Sequence, residues 1–78
     1  MNVTVKFFAS LKEQFSDSTM HVELSSDQST VEDVWRMVSG NEQMPDNVLS
    51  AINLEYAQAR QIVNAGDEVA FFPPVTGG

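Results

Sequence analysis

No cysteine occurs among the 78 residues, which removes disulfide staples, thiolate nucleophiles and cysteine-ligated metals together. The core has to hold by packing alone. Cations are nearly as scarce: Lys6, Lys12, Arg36 and Arg60 stand against 11 carboxylates, for a formal net charge of −7. A surface of that sign argues against nucleic acid and anionic membrane as partners and favours basic proteins. The one histidine, His21, sits on what reads as the polar face of a strand with no second candidate metal ligand nearby, so it is expected to be solvated. Nothing spells out a metal site, a Ser-His-Asp arrangement or a phosphate-cradling loop. No apolar run approaches a membrane span, and no charged, apolar, small-residue leader opens the chain; the expected compartment is the cytoplasm. A chain of this length makes one domain, and one so small buries only about 60% of its unfolded surface, so a frequent partner would help it.

What is present is periodicity. Val3, Val5 and Phe7 alternate with Thr4 and Lys6 across residues Asn2 to Ala9, the period-two pattern of a half-buried strand, with Phe8 on the opposite face. Residues Ser10 to Phe15 are helix-compatible and Ser16-Asp17-Ser18 reads as a turn. Met20, Val22 and Leu24 alternate with Thr19, His21 and Glu23, a second strand able to pair antiparallel with the first. Ser29 followed by Glu32 fits a capping box, and Val31, Val34, Trp35 and Val38 recur at the spacing of one amphipathic helix. Trp35 is expected in the core, and Gly40 is placed to end the helix. Val48 to Leu54 reads as a strand, Tyr56 to Ile62 as a weaker extended or turn-rich stretch, and Asn64-Ala65-Gly66-Asp67 as the turn that launches a last strand, Glu68 to Phe72. Strand, strand, helix, strand, strand describes an α+β domain: a mixed sheet with one main helix on one face. The ubiquitin-like β-grasp fold has this order.

The chain ends Pro73-Pro74-Val75-Thr76-Gly77-Gly78. Proline fixes φ and cannot extend a sheet ladder, so the pair ends the last strand and favours an extended exit. Fully extended, residues 73–78 reach roughly 20 Å. Glycine lacks a Cβ, so Gly77-Gly78 can thread a narrow channel and bring a carboxylate close to another protein's backbone. The expected division is residues 1–72 as the domain and 73–78 as a functional tail whose reactive group is the main-chain carboxylate of Gly78.

Val5-Lys6-Phe7-Phe8-Ala9-Ser10-Leu11-Lys12-Glu13, Ala51-Ile52-Asn53 and the run from Gly66 to Gly78 resemble the small subunit of molybdopterin synthase, a sulfur-carrier family of ubiquitin-like β-grasp fold. In that resemblance Gly78 is the site of chemistry. It is first adenylated by a separate activating enzyme that uses ATP, because a carboxylate is a poor electrophile, and then converted to a thiocarboxylate with sulfur from a persulfide donor protein. The tail enters the large subunit, expected as a heterotetramer, and sulfur passes to cyclic pyranopterin monophosphate in molybdenum cofactor biosynthesis. The chain itself is then a non-catalytic carrier that binds no cofactor. The resemblance also marks Lys12 as a partner-binding position, although lysine lacks the planar fork of an arginine there. The alternatives are a sulfur carrier of another, thiamine-type pathway and a ubiquitin-like modifier joined through Gly78 to lysines of other proteins.

In a β-grasp sheet, with the first and last strands parallel neighbours at its centre, Phe8 and Phe72 would lie side by side near the tail, out of phase with the core sets Val3/Val5/Phe7 and Val69/Phe71. They are either core residues or an exposed apolar patch, and such a patch normally marks a protein contact. Tyr56 either extends the patch or forms a half-buried core edge. With Lys12, Pro73, Pro74, Val75 and Thr76, these three make the expected partner-binding set. Asp67 and Glu68 read as a wet strand start, with a role in partner docking as the alternative.

Overall fold

A computed structural model describes residues 1–8 and 19–73. Lys12, the Ser10 to Phe15 segment, the turn at residues 16–18 and Pro74 to Gly78 lie outside the described residues. The strand β1 (Asn2–Phe7) pairs antiparallel with β2 (Thr19–Glu23), Val3 opposite Val22 and Val5 opposite Met20. The alternation read from the sequence is the burial pattern observed, with Val3, Val5, Phe7 and Val22 buried and Thr19, His21 and Glu23 exposed.

The helix α1 (Val31–Ser39) begins one residue later than the sequence reading placed it. Thr30, not Ser29, is the N-cap: its Oγ1 accepts from the Asp33 N–H at 3.2 Å, and its own N–H donates to the Asp33 carboxylate at 2.9 Å. A helix started at Ser29 would need Thr30 in helical geometry. Thr30 is instead extended, at φ −102° and ψ 170°, and bridges Ile62. Ser29 is buried, and its hydroxyl donates to the Ser26 carbonyl. At the other end Gly40 takes φ 78°, and both it and Asn41 donate their N–H to the Arg36 carbonyl. That is the left-handed stop that glycine permits at low cost.

The second half of the sheet differs from the reading in one element. The run Val48 to Leu54 is not one strand: β3 (Leu49–Ile52) turns at Asn53-Leu54 into β4 (Glu55–Ala57), and β5 (Glu68–Phe72) follows. Asn53 and Leu54 have φ of 51° and 72°, the paired positive values that a two-residue hairpin turn needs to match strand twist. The sheet order is β2-β1-β5-β3-β4, with β1 and β5 parallel and β5 antiparallel to β3. One helix on a five-stranded mixed sheet with its first and last strands adjacent at the centre is the ubiquitin-like β-grasp arrangement.

The core lies between the sheet and α1. Phe71 is its centre: fully buried, it stacks on Phe7 with ring centroids 6.0 Å apart and meets Trp35 edge-on at 5.1 Å. Val31 and Val34 cover it from the helix, and Val63 closes it from the loop before β5. Ser50 is the polar exception on this face, and its hydroxyl donates to the Ala57 carbonyl at 2.9 Å, tying β3 to the short edge strand. No described helix is long and apolar enough to cross a membrane.

Candidate functional site

Period two decides what lies on the other face of the sheet. If Phe7 and Phe71 point into the core, Phe8, Ala70 and Phe72 point away from it. The pairing Ala51↔Ala70 and Ala51↔Tyr56 puts Tyr56 on that same outer face, and Leu49↔Phe72 adds Leu49. Phe8 is 48% exposed, Tyr56 76% and Leu54 88%, whereas Phe72 is half-buried. Phe8, Ala51, Leu54, Tyr56, Ala70 and Phe72 together line a shallow depression of about 260 Å³. Tyr56 and Phe72 meet on its rim, with ring centroids 5.8 Å apart at 54°. The two alanines at its floor, both buried, keep the centre low.

Three of the partner-binding residues expected from the sequence, Phe8, Tyr56 and Phe72, are thus brought to one surface. Both Phe8 and Tyr56 are exposed, so neither the core alternative for Phe8 nor the half-buried core edge for Tyr56 holds. Pro73 is half-buried at the end of β5, where the Phe8 N–H donates to the Phe71 carbonyl at 3.1 Å, so the point at which the chain leaves the sheet adjoins the patch. Lys12, Pro74, Val75, Thr76, Gly77 and Gly78 fall outside the described residues.

Sequence reasoning missed Leu54. Read as the end of a strand it had no facing, and only the Asn at position 53, a residue that tolerates left-handed backbone, signalled the turn. Leucine has no such tolerance, and its φ of 72° costs roughly 1–2 kcal/mol. Neighbouring hydrogen bonds hold the turn in place. The Asn53 amide donates to Asp67 Oδ1 at 2.9 Å and its carbonyl oxygen accepts from the Glu68 N–H at 3.0 Å, while the Asn53 N–H donates to the Glu68 carbonyl at 2.8 Å. Asp67 Oδ2 also accepts from the Asn64 N–H at 2.7 Å. Asp67, read as a wet strand start, therefore clamps the β3–β4 turn to the turn before β5.

The rest of the outer face is polar. Lys6 pairs with Glu68 at 3.2 Å on the apolar patch's border, and Thr4 and His21 meet at 3.4 Å beyond it. His21 is exposed, as expected. Among the described residues no three His, Asp or Glu side chains converge as a metal site would need.

A β-grasp body with an apolar patch beside the exit of its last strand defines the ubiquitin-like class of carriers and modifiers. Within that class the chain belongs to the ThiS family, whose sequence model matches residues 5–78. Among solved structures it is similar to SAMP1 from Haloferax volcanii, at 30% identity over 100% of both chains with a TM-score of 0.83. It is also similar to Urm1 from Trypanosoma brucei, at 15% identity, covering 99% of this chain and 95% of that one, TM-score 0.72. A third likeness is to a complex of subunits 1 and 2 of molybdopterin-converting factor from Helicobacter pylori, at 18% identity over 100% of both chains, TM-score 0.66. The last two bear on the fold alone. No curated protein matches the chain in sequence.

Proposed function

We propose that this protein is a sulfur carrier, with residues 1–72 as its body and 73–78 as the delivered tail, and that it serves as the small subunit of molybdopterin synthase. The observation that carries the proposal is the apolar surface of Phe8, Tyr56 and Phe72 bordering the end of β5. A protein docked there takes hold of the body next to the point from which the tail departs. Docking and delivery are then coupled by short-range geometry, which is how a weakly reactive terminus is brought to a site at high effective concentration. In the sequence of steps proposed, ATP converts the Gly78 carboxylate to an acyl-adenylate with loss of pyrophosphate. The outer sulfur of a donor protein's persulfide then displaces AMP to give an acyl disulfide, and a second thiol of the donor attacks its S–S bond, leaving the thiocarboxylate on Gly78 and a disulfide on the donor. The large subunit receives the tail, and the sulfur passes to cyclic pyranopterin monophosphate. The chain contributes no cation to that pocket, since the last eighteen residues contain neither lysine nor arginine; a phosphate-bearing substrate needs donors of that kind, and the large subunit supplies them.

The similarity to SAMP1, a small archaeal modifier protein, favours a second reading, in which Gly78 is joined to lysines of other proteins. Intact-mass measurement of the chain purified from its native cells separates the two. A free chain carrying sulfur in place of one carboxylate oxygen, which forms molybdopterin when mixed with the large subunit and cyclic pyranopterin monophosphate, is expected. Isopeptide conjugates through Gly78, with no sulfur-bearing free chain, would establish the modifier instead.

A further inference from the structure

We infer that Leu54 is a specificity-determining docking residue, an apolar tip that the β3–β4 turn holds out for a partner protein with an apolar centre and a basic rim; the inference rests on the carrier function proposed above. Leu54 is 88% exposed and so contributes almost nothing to the core. It also sits at φ 72°, at the turn position where glycine is favoured. A side chain that neither packs inside nor suits its backbone has no folding reason to be leucine, and backbone strain at a surface of this kind points to function. The Asn53 hydrogen bonds to Asp67 and Glu68 fix the turn, so the leucine is presented from a rigid base at the edge of the depression it shares with Phe8, Tyr56 and Phe72. Rigid presentation lowers the entropy lost on docking.

Charge identifies the occupant. Asp67, hydrogen-bonded to Asn53 of the same turn, and Glu68, paired with Lys6 at 3.2 Å, are the carboxylates beside the turn, whereas Glu55 pairs with core-facing Ile52 and so lies on the opposite sheet face from Tyr56. A second copy of this chain would bring the same acidic rim and another net charge of −7, and like charges facing across a contact oppose it. A partner whose pocket for Leu54 is ringed by Lys or Arg meets both features. Under the proposed function that partner is the large subunit.

The test is the Leu54→Gly variant of the full chain, compared with wild type and Phe8→Asp for affinity to the large subunit from the same organism, by calorimetric titration, alongside melting and sedimentation of each isolated chain. Loss of a leucine contact is expected to raise Kd about tenfold or more, while the melting temperature stays level or rises because glycine relieves the left-handed strain. Unchanged affinity for Leu54→Gly, with Phe8→Asp weakened, would overturn the role of Leu54 and leave the carrier function standing. Failure of wild type itself to bind the large subunit would overturn both. A wild-type dimer that Leu54→Gly converts to monomer would overturn the assignment of the occupant in favour of a second copy.

Discussion

At the scale of single residues, adjacent phenylalanines do opposite work. Phe71 is fully buried between Phe7 and Trp35, whereas Phe72 turns to the outer face and meets Tyr56. Phe71→Ala is therefore expected to cost about 3–5 kcal/mol, a large part of the roughly 5–15 kcal/mol that holds a domain together; a melting curve with little change would put the core elsewhere. Phe8→Asp should leave stability within about 0.5 kcal/mol, as surface substitutions do, and weaken the complex with the large subunit; a collapsed domain would mean that Phe8 is structural. The phases of Phe7/Phe8 and Phe71/Phe72 were legible in the sequence, because both pairs sit in strongly alternating strands, but whether Phe8 and Phe72 were exposed or core was settled only by the sheet. Leu54 was not legible, because its facing depends on a turn whose second residue is leucine where the usual signal is glycine.

Elements were legible to the degree that their pattern was local. Val3/Val5/Phe7, Met20/Val22/Leu24 and the Val31, Val34, Trp35, Val38 spacing each settle strand or helix within a few residues. The β3–β4 hairpin needs long-range partners: Ile52 faces the core because it pairs with Val69, and Tyr56 faces outward because it pairs with Ala51. Neither pairing shows in a run of mixed apolar residues. The Ser29 cap missed by one residue for a similar reason: threonine and serine both cap helices, and the bridge from Thr30 to Ile62, which no local pattern shows, puts the cap at Thr30. Thr30→Ala should thus destabilise by about 1 kcal/mol, and Ser29→Ala should leave the Thr30–Asp33 cap intact; helix-end amide exchange that rises only in the Ser29 variant would reverse the assignment. Gly66 is the other backbone device. At φ 85°, with open space where a Cβ would stand, Gly66→Ala meets strain rather than collision, and roughly 1–2 kcal/mol is the expected loss. In a domain of this size each kcal/mol lowers Tm by about 4–8 °C.

For the molecule as a whole, the dominant property is its charge. Only four cations oppose 11 carboxylates, and on the sheet face that bears the patch the one ion pair between described side chains is Lys6 with Glu68. An acidic body with an apolar docking surface divides labour between long and short range. Under the docking proposed above, the field draws a basic partner in and orients it, and the patch retains it once water has been excluded. Charged groups at the rim chiefly set the association rate, whereas buried contacts set the dissociation rate. Exposed charges are screened over about 10 Å at 0.1 M salt and about 3 Å at 1 M. Stopped-flow association with the large subunit is therefore expected to slow about tenfold or more as salt rises from low ionic strength toward 1 M, with dissociation nearly constant. The Phe8→Asp variant should show the reverse signature, faster dissociation at every salt concentration. An association rate that is flat with salt would mean that the partner is not basic, and that the acidic surface serves solubility rather than recognition.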